Sequence, residues 1–227
     1  LVRYAAQHIQ HMQKALELMN VKLTEVLSDV TGTTGTAIIN DILAGMRDPE
    51  QLAKHRHPRC KNDEATIAKA LTGHYRAEHV FALRQAVTLY RQCQALIGEC
   101  DAEIERFLEQ HGPKDDGRIP PPPERPPRAS KNGLGFDAYA HIFRLAGVDL
   151  TAIPGLSTTS VLTILAETGV DASRWRSGKA FASWLGLCPN NRVSGGKVLA
   201  SGSQPCVNRA ARVFRMAAYG LHHAKSA

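Results

Sequence analysis

The sequence predicts a mainly all-α protein. A long helical, coiled-coil-like region is followed by a small C-terminal helical domain with a helix-hairpin-helix-like element and a Gly-rich loop. Three observations predict this. Apolar residues recur at spacings of three and four along most of the chain. The proline run Pro120-Pro121-Pro122-Pro123-Glu124-Arg125-Pro126-Pro127 separates two periodic halves. The charge is also lopsided. Residues 1–113 carry 13 Lys+Arg against 14 Asp+Glu, whereas residues 114–227 carry 15 against 7. The segments expected are 1–62, connecting helices; 63–111, coiled-coil helices; 112–135, a Pro-rich linker; and 136–227, the C-terminal domain.

Val2, Ala5, Ile9, Met12, Leu16, Met19 and Leu23 form one apolar stripe, so residues 1–28 read as an amphipathic helix interrupted near Asn20. Thr31 to Gly35 reads as a loop and Thr36 to Gly45 as a short helix capped by Gly45. Asp48-Pro49-Glu50 then opens another helical turn. His55-Arg56-His57-Pro58-Arg59-Cys60 offers metal-ligand types. Pro58 interrupts it and no second ligand set matches, so a polar interhelix connection is favoured and no residue is assigned to a metal.

From Asp63 to Gln110 the pattern predicts two long helices breaking near Thr72-Gly73. Leu83, Val87, Tyr90, Ile97, Ile104 and Leu108 fall at seam positions, and Cys93, Cys100 and Phe107 follow a parallel seam. Polar Gln94 and Asp101 interrupt it. Either a coiled coil with another subunit or an intrachain hairpin fits the pattern. The prolines beyond cannot form helix or central strand and predict a semi-rigid extended spacer.

Leu150-Thr151-Ala152-Ile153-Pro154-Gly155-Leu156-Ser157 precedes a helical run from Thr158 to Glu167, with Ser157 or Thr158 as N-cap. An apolar residue, Pro-Gly and a helix start are the ingredients of a helix-hairpin-helix, whose helix N-terminal amides face a backbone phosphate. An ordinary interhelix turn has the same spacing. Lys179 to Leu187 reads as a short helix with Trp184 in the core rather than serving as a base-stacking platform. Pro205 to His223 reads as an amphipathic helix burying Val207, Ala210, Phe214, Ala217 and Leu221.

Composition narrows the partners. Hydrophobic content of 43% and charged content of 22% are those of a globular protein, and no apolar run reaches the roughly 20 residues that span a bilayer. Five scattered cysteines without a Cys-x-x-Cys pair suggest reduced thiols and a cytoplasmic location. From Ala172 onward there are nine basic residues and no acidic one. An acid-free basic segment with a core-like apolar pattern points to nucleic acid. Arg209, Arg212 and Arg215 recur every three residues and are expected to grip phosphates; a solvated face is the plainer alternative.

Residues 184–204 concentrate the chemistry. Ser194 precedes Gly195 and Gly196, between Arg192 and Lys197. The glycines permit positive φ and remove Cβ atoms, so another backbone could come close to the serine. The two cations suit an anionic phosphate. Read alone, the same residues also make a polar hairpin turn.

Trp184-Leu-Gly-Leu-Cys-Pro-Asn-Asn-Arg-Val-Ser-Gly-Gly-Lys-Val-Leu199, followed by Asn208-Arg209-Ala210-Ala211, resembles the C-terminal domain of insertion-sequence transposases with a RuvC-like DEDD N-terminal domain, also called bridge-RNA-guided recombinases. Ile153-Pro154-Gly155 is similar to the start of that domain. Ser28-Asp29-Val30-Thr31-Gly32 with Gly35, and Ala44-Gly45 before Asp48-Pro49, resemble the segment joining the RuvC-like domain to its coiled coil.

The resemblance implies DNA strand cleavage and exchange during transposition, with Ser194 forming a covalent phosphoserine intermediate. Ser201 and Ser203 are alternatives that no glycine pair follows. It implies DNA and a guide RNA as partners; the seam adds an expected homo-oligomer through the coiled coil, and the residues themselves an expected set of backbone contacts from Arg192, Gly155, Gly195, Gly196, Lys197, Arg209, Arg212 and Arg215. It also implies Mg²⁺ held by four acids of the RuvC-like domain, all before Leu1, so no cofactor is expected in this chain. Leu1 in place of Met, and an end without a helix stop signal, lead us to expect a portion of a longer protein that is inactive by itself. The rival expectation is a non-catalytic nucleic-acid-binding and dimerisation protein, a transposon remnant.

Overall fold

A computed structural model describes residues 1–111, 133–189, 191–202 and 208–224; of His111 and Arg192 only the backbone is described. The Pro-rich segment and Ser203 lie outside the described residues. The described chain is mainly α-helical with one two-stranded sheet, as the sequence predicts. It forms two compact units, Leu1–Cys100 and Asp101–Ala227.

In the first unit, α1 spans Val2–Leu18 and buries Ala5, Met12, Ala15 and Leu16. Asn20 takes a positive φ of 56° and breaks the run, where the sequence placed the interruption. The helix resumes as α2, Leu23–Val26. Next, α3 spans Thr33–Ala44, starting three residues earlier than expected because Thr33-Thr34-Gly35 joins the helix instead of the loop. Gly45 closes α3 at φ 105°, a left-handed conformation that costs glycine little. Asp48 caps α4, Pro49–Ala53, by accepting from the Glu50 amide at 3.0 Å, with Pro49 in the first turn.

The expected pair of long helices is corrected to one short and one long. α5 covers only Glu64–Ala70, whereas α6 runs unbroken from Ala77 to His111, 35 residues. Residues 71–76 turn the chain, and Tyr75 donates its hydroxyl to the Leu71 carbonyl at 2.6 Å. Met19, Leu23, Ile38, Ile42, Leu52, Ile67, Leu71 and Leu83 make the centre of this unit's core. Val87 is the last seam residue buried there. Beyond it, Leu89 and Leu96 are 42% and 44% exposed, so the α6 surface leaving the core is apolar and uncovered within this unit.

The residues offered as metal-ligand types between α4 and α5 do not converge. The His55 ring binds Asp41 at 2.6 Å, the His57 amide donates to Thr34 Oγ1 at 3.0 Å, and Cys60 Sγ lies 3.6 Å from that same hydroxyl. They tie the connection to α3, which is the polar role favoured from sequence.

In the second unit, α7 (Ala138–Ala146) is followed by a 3-10 turn at Leu150–Ala152, α8 (Thr158–Thr168) and a second 3-10 turn at Ala172–Arg174. α9 (Gly178–Trp184), strands β1 (Arg192–Ser194) and β2 (Lys197–Ala200), and α10 (Arg209–His223) complete it. α8 lies between α7 and α10. Ala138, Ile142, Leu156, Val161, Ile164, Leu185, Ala210 and Ala211 form its core.

Asp149 fastens the entry to this core. It accepts from the Thr151 hydroxyl at 2.6 Å, the Thr151 amide at 2.9 Å and the Tyr139 hydroxyl at 3.2 Å. The Thr151 hydroxyl bond foremost holds its carboxyl below the usual aspartate range. A lowered folded pKa contributes stability that is complete above the unfolded value, about 4, and is lost as pH falls through the folded value. The melting-temperature gap between the native protein and Asp149→Asn is therefore expected to shrink as pH drops from about 5 towards 2. A gap constant across that range in thermal melts would contradict this role.

Candidate functional site

Ser194 ends β1 and Lys197 begins β2, and they are register partners in an antiparallel hairpin closed by Gly195-Gly196. The glycines have φ of 55° and 74°. Two positive φ values in a two-residue loop mark a type I′ turn, whose twist matches the flanking strands. This is why the glycine pair sits there. Paired residues share a face of a hairpin, so Ser194 and Lys197 lie side by side while Val193 and Val198, also paired, take the other face.

Ser194, Gly195, Gly196 and Lys197 are all exposed, and a Cβ added at either glycine would meet nothing within 4 Å. Among the described residues the Ser194 hydroxyl and the Lys197 ammonium have no side-chain partner. Val193, Val198 and Leu199 are 60%, 62% and 67% exposed. The hairpin therefore projects as an arm with a hydroxyl and a cation near its tip and bare apolar side chains along it. A register shift between Arg192 and Val193 bulges its base, which strengthens local twist.

A second group forms at the start of α8. Ser157 is the N-cap, accepting from the Ser160 amide at 3.2 Å. Gly155, at φ 85°, lies against α10: a Cβ there would stand 3.2 Å from both the Cβ and the carbonyl oxygen of Ala217. Its missing side chain thus lets the Pro-Gly turn reach the α10 backbone. Gly155, Ser160, Arg212 and Met216 line one cavity of about 320 Å³. Two residues 57 positions apart in sequence, both expected at a phosphate, are brought together there.

The arginine row is divided by its partners. Arg209 forms a salt bridge with Glu167 on α8, which corrects the expectation that no acid accompanies the row. Arg215 donates to the Gly186 carbonyl at 3.1 Å and braces the turn after α9. Arg212 is exposed, with no partner among the described residues. The acid that meets Arg209 lies 42 positions upstream, outside the acid-free segment that sequence reading could see.

Trp184 is 47% exposed, not core. Its ring centroid lies 5.2 Å from that of Trp175 and 6.3 Å from that of Phe181, and Phe181 contacts Phe214 edge-on. Trp175, Phe181 and Phe214 also line an apolar cavity of about 600 Å³ with Val148 and Val170. Nothing in the spacing of these residues signalled that cavity.

The segment holding both groups, residues 147–224, matches the model of one protein family. That family is the Transposase IS116/IS110/IS902 family. The match covers the Pro-Gly turn, α8, α9, the hairpin and α10, so this stretch is similar to that transposase family. None of the curated proteins and none of the solved structures matches the chain. Among the described residues, no helix is long and apolar enough to cross a membrane.

Proposed function

We propose that this chain is part of a DNA transposase that cleaves and exchanges strands through a covalent serine intermediate, with Ser194 as the nucleophile. The observation that carries the reading is the exposed Ser194 hydroxyl beside Lys197 on the glycine-closed arm, inside the transposase-family segment. In the step envisaged, Ser194 Oγ attacks a phosphodiester phosphorus. The Oγ–P bond forms, the bond from phosphorus to the leaving deoxyribose oxygen breaks, and the hydroxyl proton ends, directly or through water, on that leaving oxygen. The hydroxyl of a released strand end then attacks the phosphoserine phosphorus: the new O–P bond forms, the Oγ–P bond breaks, and the proton returns, directly or through water, to Ser194 Oγ. Lys197 stabilises the charge that gathers on the phosphoryl oxygens.

The Mg²⁺ that the resemblance implies finds no fitting donors beside this arm. Ala172 to Ala227 contains no carboxylate, and Glu167 is committed to Arg209.

DNA would be held by two kinds of contact. The Pro-Gly turn before α8 with Arg212 suits a backbone phosphate, because Gly155, Ser160 and the exposed guanidinium line one cavity. The arm's glycines would let the duplex approach the serine, Arg192 with Lys197 would steady the phosphate, and Arg209 and Arg215 would bind the DNA or RNA backbone. These contacts are independent of sequence, so a guide RNA would supply target choice. The uncovered apolar surface of α6 beyond Val87 favours a coiled coil with a second copy. A cytoplasmic location is compatible with all of this.

The test is a denaturant-stable protein–DNA adduct formed by the transposase carrying both the RuvC-like domain and this chain. Its appearance supports the enzyme, and DNA binding without any adduct favours the non-catalytic remnant. Arg212→Ala is expected to weaken DNA affinity alike for all sequences and to lower the log–log salt slope by about one. A titration with unchanged slope would remove Arg212 from the DNA surface.

A further inference from the structure

Where the end of α6 meets α7, within the second unit, three ligand-type side chains point to one place. Glu105 and Glu109 are four residues apart on α6 and so share one face of that helix. His141 projects from α7 and is 8% exposed. One donor atom from each of the three lies within 4.8 Å of the others. The backbone is already pinned there, since the Gly135 amide donates to Asp101 Oδ2 at 2.8 Å. We propose that Glu105, Glu109 and His141 form a binding site for a divalent first-row transition ion, Zn²⁺ or Mn²⁺, that clamps α7 to the end of α6.

The imidazole is what calls for a ligand. His141 is more than nine-tenths buried, yet it makes no hydrogen bond to any described residue; its ring rests edge-on against Phe136 at 5.9 Å. Its Nε2 lies 3.9 Å from Glu105 Oε1, beyond hydrogen-bond reach. That spacing leaves room for an ion between the imidazole nitrogen and the carboxylate. Two carboxylates at i and i+4 repel each other unless a cation stands between them. A divalent ion bridges the three donors, offsets that repulsion and leaves the site neutral: two negative carboxylates, one neutral imidazole, two positive charges.

The geometry is within reach. Metal–ligand bonds of about 2.1 Å put tetrahedral donors about 3.4 Å apart. Closing from 4.8 Å requires only side-chain rotation, and Glu109 is exposed and free to make it. An imidazole nitrogen with two carboxylate oxygens suits Zn²⁺ or Mn²⁺ better than Mg²⁺ or Ca²⁺, which prefer all-oxygen sets. Three protein ligands leave a position for water. The clamp is separate from the DNA chemistry above and does not depend on it.

The experiment is calorimetric titration of the chelator-treated 227-residue chain with ZnCl₂ and with MnCl₂, followed by thermal melts. One equivalent is expected to bind either or both ions and to raise the melting temperature. The double variant Glu105→Gln, Glu109→Gln alters only accessible groups and should fold. It is expected to lose at least about tenfold in affinity for that equivalent, together with the thermal shift. Replacing His55 and His57 by alanine, or His222 and His223, is expected to leave that equivalent in place. Three results would each overturn the site: no bound equivalent in the native chain, an equivalent that survives the double glutamine variant, or a melting temperature indifferent to both ions and EDTA.

Discussion

Ser194→Ala is expected to reduce the covalent protein–DNA adduct by at least about 10³-fold, the scale seen when a nucleophile is deleted. The assay needs the transposase that carries the RuvC-like domain with this chain. DNA affinity is expected to persist, because the serine is one exposed hydroxyl and the cationic contacts stay in place. Ser201→Ala serves as the companion. Ser201 is also exposed, but it follows β2 and no Gly-Gly turn presents it, so full adduct yield is expected. If Ser194→Ala keeps its yield while Ser201→Ala loses it, the assignment passes to Ser201. The hairpin explains the asymmetry: the I′ turn fixes Ser194 beside Lys197 and leaves open space over both glycines.

Gly35→Ala is expected to destabilise the first unit by about 3 kcal/mol, the upper part of the usual range for overpacking. An added Cβ would stand 2.3 Å from the Val30 carbonyl oxygen, 2.6 Å from its carbon and 2.7 Å from its Cα. All three are backbone atoms of a residue that is itself 2% exposed, so no side chain can swing away. Either α3 or the preceding loop must shift, and Ile38 and Ile39 shift with it. In thermal melts this corresponds to roughly 10 °C or more for a unit of this size. Gly98→Ala provides the contrast: it lies inside α6 with nothing within 4 Å. That change is expected to be neutral or stabilising by up to about 1 kcal/mol through helix propensity. Equal melting temperatures for the two variants would mean the Val30–Gly35 contact is not tight in solution.

Local signals carried most of the helix boundaries. Asn20, Gly45, Asp48 and Ser157 each act on the backbone beside them, and each does in the structure what its residue type favours. The helix of α3 begins early because Gly35, which reads as a loop residue, is required by the close approach of Val30. α5 is short because the chain must turn at Leu71 to place Leu83 in the same core, a demand set by packing, not by period.

The candidate site was half legible for the same reason. Ser194, Gly195, Gly196 and Lys197 are consecutive, so turn chemistry exposes their relation. The Arg209–Glu167 bridge, the shared cavity of Gly155 and Arg212, and the exposure of Trp184 arise from helices meeting across long sequence separations. Glu105 and Glu109 meet His141 across the Pro-rich segment, a spacing that no short metal motif has. Separation in the chain, and not weak chemistry, hid them.

Peptide mapping of the trapped protein–DNA adduct by mass spectrometry bears most directly on the serine arm. After nuclease and protease digestion, the arm predicts a nucleotide remnant joined through phosphorus to Ser194, on the peptide that contains Gly195 and Gly196. A remnant on any other residue, or an adduct-free protein that still cuts DNA, would contradict it.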